Sequence, residues 1–470
     1  MADGWSLPAG FRFGVATSGF QVEGGYNGTG EPANNWSWWE AEFRVEPSGI
    51  GLDFWNSYAQ HLDRAVAAGC DAFRLSVEWA RCEPRDGEID DDALDRYGRI
   101  LDACHERNLL PVVTLHHFCH PAWLGVDFWP RPDAPERFRD WVAVAVDRLA
   151  GRCRHWVTLN EIAVYALQSY LTGMFPPGRR LDVASTVRAL DHMLTAHVLA
   201  YEAIKARQPQ AVVSTNTYPF SIYELDRLLV DVLLSRSHGV GRYDLRPWLG
   251  ERRAEHHAQV LPSPSRLEWF LRKRVNSAVP MEQALPRAVA AVYDSPCERA
   301  LDLTQIDYYD PVVSHHLRLP GHRTAGGRNW KPARMLWDDP PDPPGLGRAC
   351  RLNHEPGLDL WVAENGLCNR VRNGRSYPRI DGWGRERYLK ANLSALLDAV
   401  DAGVPVGAYF HWTLADNYEW GSYQPRFGLY AVDRDRGARW SSADAMGGDA
   451  AGAYRRIADG LRSGDRSVLA

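Results

Sequence analysis

The chain has 470 residues, 45% of them hydrophobic, a formal net charge of −5 and a pI near 6.4. That is ample for a large core, and it supplies no basic field for nucleic acid or an anionic membrane. No apolar run approaches the roughly 20 residues of a membrane helix, and "MADGWSLPAGFRFG" lacks the basic and apolar pattern of a signal peptide, so a soluble, cytoplasmic protein is expected.

Taken in chain order, short β-like runs alternate with helical patterns. The runs are "FRFGVAT" (11–17), "AFRLSV" (72–77), "LLPVVTL" (109–115), "HWVTL" (155–159), "AVVSTN" (211–216), "LTQIDYY" (303–309), "LDLWVA" (358–363) and "VPVGAYFHW" (404–412). Between them lie amphipathic stretches such as "DFWNSYAQHLDRAVAAG" and "DDALDRYGRILDACHERN", the second opening on aspartates where a helix N-terminus favours them. Eight β units alternating with α predict one closed (β/α)₈ barrel spanning 1–470, with a parallel sheet inside. Two long stretches, 221–302 and 317–357, interrupt the pattern. The second carries the Pro-rich loop segment "DDPPDPPGLG", and both are expected to form walls around a ligand.

A barrel of this kind places its chemistry at the C-terminal ends of its strands. Glu161 and Glu364 follow the fourth and seventh runs directly, and Gln21, Arg74, His117, Asn216, Tyr309 and Trp412 stand in comparable positions. Two carboxyl groups among aromatics, histidine and amides suit glycoside hydrolysis, where one protonates the leaving oxygen and the other attacks the anomeric carbon or activates water. A metal centre is the competing reading. The doublets His116–His117, His256–His257 and His315–His316 favour it poorly, because neighbouring strand residues point to opposite faces. The 8 cysteines include no C-x-x-C pair and read as reduced structural thiols. No cofactor is implied. Of the 19 tryptophans most are expected to be packing, Trp36, Trp38 and Trp39 among them. Asn216 is a weak candidate, since an amide after a strand also caps turns.

Six motifs in order resemble glycoside hydrolase family 1, the β-glucosidase and β-galactosidase family, over nearly the whole chain. They are the A-T-x-x-x-Q-x-E-G pattern at Ala16–Gly24, "FRLSVEWAR" (73–81), "VTLHHFCHPAWL" (113–124), "TLNEI" (158–162), "VAENG" (362–366) and "YFHWTLADNYEW" (409–420). The resemblance implies a retaining exo-acting β-glycosidase that releases a terminal glucose- or galactose-type sugar from an aglycone. Its implied alternatives are a transglycosidase of the same fold and a non-catalytic sugar-binding protein. The last commonly lacks one glutamate, and both are present here. The partner is then a small β-glycoside, and oligomeric state is not readable.

Residue by residue, the resemblance implies Glu161 as acid/base and Glu364 as nucleophile. Asn160 would meet the hydroxyl next to the anomeric carbon, and Arg74 and Tyr309 would hold Glu364 ionised. Gln21, His117, Glu419 and Trp420 would bind hydroxyls of the terminal sugar, over a floor formed by Trp412. Glu419 would also repel a 6-phosphate.

The chain departs from the family pattern in four places. Ile162 replaces the proline after the acid/base, and Phe118 replaces a common tryptophan. The Trp420–Phe427 loop is one residue short. Asp307 replaces an asparagine, where an added carboxyl group can raise a neighbour's pKa or change a leaving-group contact.

Overall fold

The computed structural model describes all residues except 1–4, 44, 221, 226, 261–283, 310–340, 374 and 435–436. His315–His316 and large parts of both long stretches therefore lie outside the described residues.

The eight expected runs form one parallel sheet: β1 (Arg12–Ala16), β2 (Ala72–Ser76), β3 (Leu110–Thr114), β4 (His155–Val157), β5 (Val212–Ser214), β6 (Asn216–Thr217), β7 (Thr304–Asp307), β8 (Leu360–Asn365) and, after a hairpin of β9 (Asn369–Arg372) and β10 (Arg375–Tyr377), β11 (Val406–Trp412). The order is β5-β4-β3-β2-β1-β11-β8-β7-β6. Its two ends are consecutive pieces of one run divided at Thr215: β5 pairs with β4 and β6 pairs with β7. The split fifth strand thus brings the sheet round into a barrel.

Side chains alternate between two apolar layers. Phe13, Phe73, Leu75, Val113 and Tyr409 pack outward among the helices, while Ala16, Ala72, Val112, Trp361 and Phe410 fill the interior. The helices have the expected signals. Helix Asp91–Glu106 begins after Asp90, whose carboxylate accepts from the Ala93 amide, with Asp91 and Asp92 in its first turn. The segment read as a Pro-rich loop is in part otherwise: Pro343–Asn353 is a helix with prolines in its first turn. A proline there forfeits only an amide with no helical partner, so it starts this helix rather than breaking it. Residues 227–234, 245–260 and 286–294 are likewise helical. All eight cysteines are free thiols. Among the described residues no helix is long and apolar enough to cross a membrane.

One irregularity positions the site. Ile306 pairs with Val362, but the next residue, Asp307, pairs with Glu364, so Ala363 is an extra residue in β8. Without this bulge, strict alternation from the inward Trp361 would turn Glu364 outward. With it, Glu364 faces the barrel interior, and Asn365 turns out to Tyr388 and Tyr409. Gly366 follows because the Trp412 carbonyl oxygen occupies the place where a Cβ would stand. Gly366→Ala must push β8 and β11 apart. It should cost about 1–3 kcal/mol in urea unfolding, as overpacking does, and lower activity more than this loss of stability explains.

Candidate active site

Arg74, at the middle of β2, is fully buried inside the barrel. Its Nη1 donates to Glu364 Oε1 at 2.7 Å, its Nε to Thr114 Oγ1 at 3.0 Å, and its Nη2 to Asn160 Oδ1. Tyr309 Oη donates to the other Glu364 oxygen at 2.9 Å. Burial lifts the Glu364 carboxyl above its ordinary value, and Arg74 and Tyr309 oppose that rise. The Tyr309 phenol is itself pushed up by burial and by Glu364, so it keeps its proton and donates.

Glu161 sits in different surroundings. It is 7% exposed and carries φ of 41°, a left-handed backbone that a non-glycine residue adopts at a cost, and it opens the helix Ile162–Ala166. Burial, then Asp307, then Glu364 drive its carboxyl well above the usual range; Arg74 opposes them. Of the two glutamates, Glu364 therefore loses its proton first. Asp307, wholly buried, lies with Oδ1 4.0 Å from Arg74 Nη1 and accepts from Asn216 Nδ2, which also donates to Asn160 Oδ1 at 2.7 Å. Asn216 thus belongs to the site, a role that a strand-end amide does not reveal in sequence.

The second half of the site lies across the mouth. Trp412 Nε1 donates to Glu419 Oε1 at 3.1 Å and Gln21 Nε2 to Glu419 Oε2 at 3.3 Å, so both carboxyl oxygens are held. Burial pushes Glu419 up to about 8, with the Trp412 hydrogen bond opposing and Glu364 adding to the rise. His117 stacks within 5.8 Å of both the Trp412 and Trp420 rings. Burial and then Arg74 lower its pKa well below the ordinary value, so the imidazole is neutral. Trp420 (φ 46°) and Phe118 (φ 65°) share the left-handed strain of Glu161 and pack 5.1 Å apart. Trp36 backs Trp420 at 4.8 Å, a packing role as expected. Gln21 Oε1, His117 Nδ1 and Asn160 Nδ2 are buried with no protein partner. Buried polar atoms seldom remain so in a purely structural cluster, and these three are ready to meet hydroxyls.

The structure thus gathers every expected site residue: Gln21, Arg74, His117, Asn160, Glu161, Tyr309, Glu364, Trp412, Glu419 and Trp420. The adjacent histidines diverge. His116 accepts from Trp129 Nε1 and lies against Tyr165, while His117 faces the tryptophans of the mouth. Among the described residues no three histidine, cysteine or acidic side chains are grouped to hold a metal ion.

Comparison with known proteins places this geometry. The sequence model of glycosyl hydrolase family 1 matches residues 4–231 and 310–444. The chain belongs to that family. It is 26% identical to a 1,4-beta-D-glucan glucohydrolase of Thermotoga neapolitana, over 91% of this chain and 98% of that one. It is 25% identical to a 6-phospho-beta-galactosidase of Streptococcus pneumoniae, over 94% of this chain and 97% of that one. The family 1 β-glucosidase structure from Thermotoga maritima shares the fold with a TM-score of 0.71 at 22% identity, covering 97% of this chain and 98% of that one.

Removing Arg74 leaves Glu364 buried beside no close cation among the described residues. Arg74→Met should destabilise the chain by about 3–5 kcal/mol, as breaking a buried pair does. It should also raise the Glu364 titration midpoint, because the group that opposes the burial effect is gone. Tyr309→Phe should raise the same midpoint with little loss of stability. Carbon-13 NMR of glutamate-labelled protein reads both, and an unmoved Glu364 resonance would refute the arrangement.

Proposed function

We propose that this chain is a retaining, exo-acting β-glycosidase of the β-glucosidase type, cleaving a terminal β-glucose- or β-galactose-like sugar from a small-molecule aglycone. The observation that carries the reading is the unequal treatment of two glutamates at one barrel mouth. Glu364 is clamped by a guanidinium and a phenol, whereas Glu161 is buried among carboxyl groups. Environments that separate two carboxyl groups in this way assign the base-like and acid-like roles.

In the first step the Glu364 carboxylate attacks the anomeric carbon. The bond to the aglycone oxygen breaks, and that oxygen takes the Glu161 proton. In the second step water delivers its oxygen to the anomeric carbon and its proton to Glu161, and Glu364 leaves as the carboxylate. Asn160, fixed by Arg74 and Asn216, keeps its Nδ2 for the sugar hydroxyl beside the reacting carbon. Trp412 supplies the floor, and Gln21, His117, Glu419 and Trp420 close the far end, which supports release of terminal sugars only.

Among the relatives are proteins named for glucans and for a 6-phospho sugar. Glu419 favours the unphosphorylated class, because its oxygens face Trp412 and Gln21, and Glu364 and Asp416 are the charges that act on it. A phosphate dianion placed there would find no cation among the groups that act on Glu419. The sequence expectation of an aglycone wall falls on 221–302 and 317–357, of which 221, 226, 261–283 and 317–340 lie outside the described residues. Just before the first of these, Tyr218 stacks on Tyr309 with ring centres 6.4 Å apart and packs against Phe220, so this approach to Glu364 is aromatic.

Glu364→Gly should abolish hydrolysis without unfolding, and a 2-deoxy-2-fluoro glycoside should label Glu364 covalently, read by peptide mass spectrometry. A label on another residue would exclude the nucleophile assignment. Activity should follow a bell in pH. It is lost on the acid side as Glu364 takes up a proton and on the basic side as Glu161 gives one up. Glu161→Ala should harm poor leaving groups far more than activated aryl glycosides, with partial rescue by azide.

Sugar choice has a separate test. Glu419→Ser should reduce kcat/KM for glucosides by about 2- to 13-fold, the worth of one hydrogen bond of roughly 0.5–1.5 kcal/mol to a carboxyl group that burial keeps largely protonated. It should also weaken rejection of 6-phospho sugars. Unchanged ratios would place the sugar subsite elsewhere.

A further inference from the structure

Asp307 is the C-terminal residue of β7 and pairs in register with Glu364 on β8. It is 0% exposed. Its carboxyl group meets that of Glu161 in a side-chain hydrogen bond, and Asn216 Nδ2 donates to its Oδ2. The one guanidinium in reach among the described residues, Arg74, lies 4.0 Å from Asp307 but 2.7 Å from Glu364. Three carboxyl groups thus share one cation in a site closed to solvent, and all three cannot be ionised together.

The other groups facing the trio are few. Asn160 and Asn216 carry no charge, His117 beyond β3 is neutral, Tyr309 beyond β7 keeps its proton, and Glu419 beyond β11 is a further acid. The donors decide which carboxyl group keeps the proton. Asp307 has an amide donor and a cation at its edge, and Glu364 has a phenol and a cation. Burial and then Glu364 raise the Asp307 carboxyl well above its ordinary value too, but Arg74, Asn216 and the hydrogen bond from Glu161 hold it back, whereas that same bond raises Glu161 further. Glu161 has neither donor nor close cation, so the last proton of the pair rests on Glu161 and is donated to Asp307.

With Glu161 read as the acid of the proposed glycosidase, we propose that Asp307 is a positioning residue that accepts the Glu161 proton in a carboxyl–carboxylate hydrogen bond, holding the acid loaded and aimed until the leaving oxygen replaces Asp307 as its partner. The proton balance is simple. Glu161 gives its proton to the aglycone oxygen and is left as a carboxylate beside the Asp307 carboxylate. That repulsion then favours recovery of a proton from the attacking water. Asp307 touches neither bond that breaks; it acts through Glu161.

The isosteric Asp307→Asn variant tests this, since it removes the charge and keeps the shape. The basic limb of kcat/KM on an aryl β-glucoside should move at least about one pH unit toward acid, about a tenfold loss on the alkaline side, because one unit is one decade in proton affinity. KM at the optimum should change little. A residue that only braces β7 would lower the melting temperature and leave the limb in place, and that result would overturn the proposal. Carbon-13 titration of glutamate-labelled protein reads the same shift without turnover: the Glu161 midpoint must fall in Asp307→Asn. If the midpoint falls while Glu161→Ala spares poor leaving groups, the proton pair stands and the acid assignment fails. Should Asp307→Asn not fold, Glu161→Gln in aspartate-labelled protein serves in its place. The Asp307 resonance must change its midpoint on that substitution, and an unmoved midpoint would count against the pair.

Discussion

A single buried guanidinium organises this molecule. Arg74 reaches Thr114 on β3, Asn160 after β4 and Glu364 on β8, and so ties three sectors of the barrel to one point. Coulomb's law at an effective dielectric near 20 gives about 6 kcal/mol for the 2.7 Å contact to Glu364 and about 4 kcal/mol for the 4.0 Å approach of Asp307. These rough figures decide an order. The cation serves Glu364 first and Asp307 second, and Glu161, raised by burial and by both of those acids, ionises last. The separation of two chemically identical side chains into unlike species follows from where one charge lies, with no difference in residue type.

That charge could not be held so deep without the barrel. Its interior is filled by small alanines on β1, β2 and β11 against large Phe410 and Trp361, which leaves room at one end for polar side chains in a dry surrounding. Backbone strain is found at the same end. Glu161, Phe118 and Trp420 all hold left-handed backbone, each next to a ring or carboxyl group of the mouth. Such conformations persist only where packing over-determines them. Here Phe118, Phe175, Trp36 and Trp420 lock into one aromatic block.

Much of this was legible in the residues. The strands begin and end near where alternation of apolar runs and helical patterns set them, and Glu161 and Glu364 stand where such a barrel presents chemistry. What escaped did so for identifiable reasons. The extra residue in β8 is an alanine, which fits either face of a strand, so nothing in "LWVAENG" announces that Glu364 is turned inward. The helix Pro343–Asn353 was hidden because two prolines read as loop until their place in the first turn is known. Asn216 looks like any turn-capping amide, and only pairing of β6 with β7 brings it beside Asp307. Asp307 itself was visible as an odd carboxyl group, but its partner was not. Contacts between strand ends depend on register, and register across a closed sheet is a property of the whole ring.

The bulge and the carboxyl trio are therefore one feature seen twice. Had β8 run regularly, Glu364 would face the outer helices and Asp307 would lie opposite an alanine. Arg74 would then have Asp307 alone as a carboxylate partner, and no two acids would compete for it. Bulging Ala363 out of the pairing brings Glu364 inward, level with Asp307, and creates that competition. The fold thereby gives up stability to crowd like charges. In return, burial and the neighbouring acids Asp307 and Glu364 hold the Glu161 carboxyl well above the usual range. A solvated surface would erase that difference, because water would ionise all three at neutral pH. Burial is thus as much a part of the chemistry as the acids themselves.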